Sequence, residues 1–123
     1  MKSEAIGMSI GMPVVAPPVT VPKVALKVLT ELTGEPRLNV ALLIALRDAV
    51  EHRLEKVNKA IRGYEHRYKM HFKQFQARGQ TESIPNQFSY KVEKDYLEWD
   101  ELTSRKKKLA KILKIVEEHS AKR

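Results

Sequence analysis

The chain has 123 residues, 42% of them hydrophobic and 31% charged, the make-up of one globular domain with a modest core rather than of a disordered chain. It has no cysteine, which excludes disulfides, thiolate metal sites and cysteine nucleophiles together and makes a cytoplasmic location the expectation. The formal net charge of +8 directs attention to polyanions or acidic proteins as partners.

Residues 1–20 are expected to form a flexible arm. Ala5 to Val19 carry no charge, but Gly7, Gly11, Pro13, Pro17 and Pro18 interrupt the helical h-region that a signal peptide needs. A single helical domain is expected over 21–119, followed by a frayed basic tail at 120–123. Thr20 is placed to cap, and Pro22 to occupy the first turn of, a short helix ending near Thr33. Val24, Val28, Leu29 and Leu32 form its apolar side. Gly34 stops it, and Glu35-Pro36 restarts the chain.

A long helix follows from about Pro36 to Tyr68, with continuation past a kink through Phe75 as the alternative. Val50, Leu54, Val57, Ile61, Tyr64 and Tyr68 form a 4-3-4-3-4 seam, a spacing that must face another helix. Val40 to Leu46 is apolar on every side, so one partner helix cannot cover it. Either the short helix or a second copy of the chain must do so, which makes Leu42, Leu43, Leu46 and Val50 the candidate oligomer interface. Met70 to Arg78 reads as a short helix or a continuation, and Gly79 to Gln87 as the loop, marked by Gly79, Pro85 and Asn86. The last helix starts at a Ser89 cap and runs to about His119, with Val92, Tyr96, Trp99, Leu102, Leu109, Ile112, Leu113 and Val116 as its apolar positions. No stretch approaches the roughly 20 apolar residues of a membrane span, so no membrane partner is expected.

These elements imply an all-α fold built on an antiparallel hairpin of two long helices, each about 45–50 Å at 1.5 Å per residue. Charge supports that direction. Arg62, Arg67, Lys69 and Lys73 would meet Glu93, Asp95, Glu98, Asp100 and Glu101 at the bend, and Asp48, Glu51 and Glu55 would lie near Lys106, Lys107, Lys108 and Lys111 at the other end. All eight aromatic residues fall between Tyr64 and Trp99, which suggests a plug of rings closing the bend.

The ingredients of catalysis are missing. No phosphate-binding glycine loop, nucleophile elbow or H-E-x-x-H occurs, and no Glu precedes any of His52, His66, His71 or His119 by three residues. No catalytic residue, cofactor or metal site is therefore expected, and the chain reads as a non-enzyme. Two binding readings remain. Arg105, Lys106, Lys107 and Lys108 begin a tail in which eight Lys/Arg face two Glu over 104–123. They could neutralise nucleic-acid phosphates, although a basic helix end also complements the helix macrodipole with no partner at all. Tyr96 and Trp99, three apart beside acidic residues, either anchor a protein partner or lie inside the plug.

Three stretches also carry a resemblance: Leu32 to Arg37 followed by Ala45-Leu46-Arg47-Asp48; Tyr64 to Phe75; and Tyr90 to Trp99. Together they resemble a group of small helical prokaryotic proteins, common in archaea, some of which are antitoxin-like partners in two-gene toxin–antitoxin loci. The resemblance covers about Val24 to Leu113. It departs from the group at Lys69, where a glycine is expected before Met70, and in this chain's basic charge. It implies no catalytic residues. It implies a protein partner, a cognate toxin, occluded by a helical face; aromatic placement and charge make Tyr96 and Trp99 the candidate anchors of that face and Arg105 to Lys108 its charge complement.

Overall fold

The structure, a computed structural model, describes residues 20–121, so the expected N-terminal arm lies outside the described residues except for Thr20. The described chain is all-helical: α1 (Lys23–Thr33), α2 (Leu38–Tyr68), α3 (Phe72–Gln80) and α4 (Tyr90–Ala121). α2 and α4 pack against each other as the hairpin. Their antiparallel register is set by pairs at both ends. Near the bend Tyr64 stacks on Trp99 with centroids 5.6 Å apart, and at the open end Arg47 lies 3.3 Å from Glu117.

The core is the seam that the spacing predicts. Val50, Val57 and Ile61 of α2 meet Val92, Trp99 and Leu109 of α4, and Phe75 and Ile84 close the bend. In this register the end of α4 is level with Leu42, so Val40 and Ala41, 4% and 0% exposed, lie at the limit of its reach. The helix that packs back over this part of α2 is α1.

Local chemistry accounts for the breaks. Gly34 takes the left-handed conformation, φ 70°, and its N–H donates to Thr30 O at 2.9 Å, ending α1. Thr20 does not cap; the cap position is Pro22, whose side chain has no acceptor for the first helical N–H groups. Glu35 and Arg37 hold the joint into α2 by a 2.6 Å ion pair.

α2 stops at Tyr68 instead of running through Phe75. Lys69 turns left-handed, φ 56°, and the next helix has its own capping box: the His71 side chain accepts the Gln74 N–H, and Gln74 Oε1 accepts the His71 N–H at 3.1 Å. α3 then continues through Gly79 and Gln80, so the loop begins later than the glycine suggested. Gln87 braces that loop, donating to Gly79 O at 2.8 Å and accepting the Ile84 N–H at 3.3 Å. Ser89 caps α4 as expected, its Oγ accepting the Val92 N–H at 3.3 Å.

Lys69 supplies a first prediction. A left-handed conformation costs a residue with a Cβ about 1–2 kcal/mol, while a cation at a helix C-terminus recovers part of that. Lys69→Gly is expected to stabilise the fold by about 0.5 kcal/mol, read as a higher urea midpoint. A lower midpoint would show that the Lys69 charge matters more than its backbone.

Candidate partner-binding surface

The bend holds two unlike surfaces side by side, one closed and one open. In the closed one Trp99 and Phe75 are 0% and 1% exposed. The Trp99 ring contacts Tyr68, Phe72 and Phe75 at centroid distances of 5.8, 5.3 and 5.0 Å, besides Tyr64. Beside this plug sits a buried carboxylate. Asp95 Oδ2 accepts the Tyr68 hydroxyl at 2.6 Å and the Arg67 guanidinium at 2.7 Å, and Tyr64 donates its hydroxyl to Glu98.

Burial by itself would push the Asp95 carboxyl up, but the hydrogen bonds from Tyr68 and Arg67 and the charges of Arg67 and Lys91 outweigh it and hold it below the usual carboxylate range. Burial first, and the acceptor carboxylates second, push both Tyr64 and Tyr68 up to about 12. The cluster locks α2 to α4.

Trp99 is therefore part of the plug and is not an exposed anchor. Its spacing suited either role, and the geometry of the bend decides. Tyr96 is different: it is half-buried, stacks on Phe72 at 5.6 Å, receives a hydrogen bond from Gln76 at 3.3 Å, and forms one wall of an open groove.

That groove is the open surface. It encloses about 480 Å³ between α3, the turn and the start of α4, with Phe75 and Ile84 at its base and Phe88, Tyr96 and Leu97 on its walls. Phe88 and Leu97 are 69% and 65% exposed, and neighbouring Tyr90 is 79% exposed. Phe88 and Tyr90 thus stand outside the plug that the sequence assigned to all eight rings. They flank Ser89, the cap residue, where the chain is turning and no seam position exists for either of them.

The basic run lies further along the hairpin. Arg105, Lys106, Lys107 and Lys108 are exposed, and none forms an ion pair among the described residues. The hairpin register brings Arg53, Lys56 and Lys59 of α2 to the same level. Residues 53–59 and 105–111 together contain eight Lys/Arg and one acid, Glu55. This waist accounts for most of the net charge of the whole chain. The expected pairing of Asp48, Glu51 and Glu55 with Lys106, Lys107, Lys108 and Lys111 does not form. Leu109 and Val116 are the buried residues of this stretch, so Lys107, Lys111 and Lys114 point away from α2 by the helical period. The pairs at that end are instead Arg47–Glu117 and Arg47–Glu51.

The candidate oligomer residues divide. Val50 is buried in the hairpin core and Leu43 is half-buried, whereas Leu42 and Leu46 are 51% and 44% exposed. Val50 is removed as an interface residue because α4 already covers it. Among the described residues no group of three His, Asp or Glu could hold a metal ion, and no helix is long and apolar enough to cross a membrane. No protein-family model matches the chain, and neither does any curated protein or solved structure.

Proposed function

We propose that this chain is a non-enzymatic, cytoplasmic interaction protein that neutralises a cognate toxin by laying the bend of its hairpin over the toxin's working face. The observation that carries the reading is the open groove. A fold that packs six aromatic rings into its plug, two buried and four half-buried, leaves Phe88, Tyr90 and Leu97 in solvent immediately beside them. Apolar walls of this kind suit insertion of an apolar side chain from another protein. The basic waist calls for an acidic surface next to that contact, as a nuclease-type active site presents. The choice of a toxin rests on the resemblance of Tyr64 to Phe75 and Tyr90 to Trp99 to antitoxin-like proteins.

Co-expression with the product of the neighbouring gene tests this. A stoichiometric complex and relief of growth arrest are expected. Phe88→Ala with Leu97→Ala should weaken the complex about 30–1000-fold, since truncating each of two central anchors costs about 1–2 kcal/mol. Both side chains are exposed, so the helix content should not change. Failure to form a complex, together with failure to rescue growth, removes the proposal. Salt-sensitive retention on a polyanion column, abolished when Lys106, Lys107 and Lys108 become Glu, would assign the waist to nucleic acid instead.

A further inference from the structure

α1 is turned inside out for a helix of this fold. Its half-buried residues, Leu26, Leu29, Thr30 and Thr33, share one side, and at 100° per residue Val24, Val28 and Leu32 fall on the opposite side. The latter three are 68%, 51% and 75% exposed, Val21 just before the helix is 50% exposed, and no residue of α1 is buried. An 11-residue helix is marginal in water and takes its stability from burying an apolar face. Here the more apolar face is the one left bare. A second bare row, Leu38, Leu42 and Leu46, runs along the start of α2 at the same end of the molecule.

We infer that a second copy of this chain covers α1, packing α1 against α1 antiparallel about a two-fold axis near Val28. Charge favours that occupant on two counts. Residues 20–52 carry four Lys/Arg and four Asp/Glu, so two copies meeting there bring ends of zero net charge together while their basic waists stay apart. The flank of the apolar row carries Lys27 and Glu31. Antiparallel packing centred on Val28 sets Lys27 of each copy across from Glu31 of the other, whereas parallel packing faces that flank with Ala25 and Leu29. The contact is self-complementary, as a two-fold interface requires. It lies at the opposite end of the hairpin from the Phe88 groove, so it neither needs nor blocks a partner held there.

The chain has no native cysteine, which permits a register-specific test on the full chain. Val28→Cys should oxidise to a covalent dimer. Val24→Cys alone should not, but should cross-link when mixed with Leu32→Cys. In light scattering the unmodified chain should be a dimer, and Val28→Asp, which counts twice at the axis, should raise its dissociation constant about 100-fold or more. Lys27→Glu should weaken the dimer and Lys27→Glu with Glu31→Lys should restore it, a rescue that a folding defect would not show. The inference is overturned by a monomer at all concentrations, as when residues 1–19 of the same chain lie over α1. A dimer indifferent to Val28→Asp, or cross-linking of Val24→Cys in place of Val28→Cys, overturns it equally.

Discussion

Trp99→Ala is expected to destabilise the fold by about 3–5 kcal/mol, the range for emptying a fully buried Trp or Phe site. A domain of this size has about 5–15 kcal/mol in all, so the variant should be largely unfolded or molten near physiological temperature. The loss is large because Trp99 touches rings from both α2 and α3, at Tyr64, Tyr68, Phe72 and Phe75, and no other side chain could close over the space. Trp99→Phe should cost distinctly less. The indole Nε1 is buried with no hydrogen-bond partner, so replacing it removes volume but breaks no bond. Urea unfolding followed by circular dichroism checks both, because the variants lack the intrinsic tryptophan signal. A Phe variant as unstable as the Ala variant would mean that shape, not filled volume, is what the plug requires.

The hairpin was legible in the sequence because its information is periodic. The seam from Val50 to Tyr68 and the apolar positions Val92, Trp99, Leu109 and Val116 each specify a face, and two such faces of matching length have one simple way to meet. Gly34 and Ser89 were legible because each has a distinctive backbone role. The end of α2 was not. Lys69 is a non-glycine residue held left-handed, and the box that starts α3 uses His71 where Ser or Thr is usual. The far-end charges were misread for a related reason: composition places acids and lysines at the same level, but the helical period rotates Lys107 and Lys111 outward. The groove was hidden more deeply. Whether Phe88 or Trp99 is inside depends on where the turn 81–89 directs the chain, and aromatic content alone does not contain that direction.

The second large effect is expected at Asp95, and its pH dependence separates charge from packing. Asp95→Ala should cost about 2 kcal/mol at neutral pH. It strands the Tyr68 hydroxyl and removes a charge-assisted bond to Arg67. Arg67 is 49% exposed and can turn to water, which keeps the cost below that of breaking a fully buried pair. The Asp95 carboxyl is held below its ordinary value, so its contribution is complete above the usual carboxylate range and fades as pH falls through and below about 4. The gap between the parent chain and Asp95→Ala, measured as urea midpoints, should therefore narrow in acid.

At the alkaline end the sign reverses. Tyr64 and Tyr68 are raised from 10 to about 12, so their contribution is present below pH 10 and is lost between pH 10 and 12. Tyr68 is raised partly by the Asp95 charge, and Asp95→Ala should accordingly soften the alkaline loss as well. A gap between the two proteins that stays constant from pH 3 to pH 8 would contradict the ionic account of this cluster. Asp95 would then hold α2 to α4 only by filling space beside Trp99.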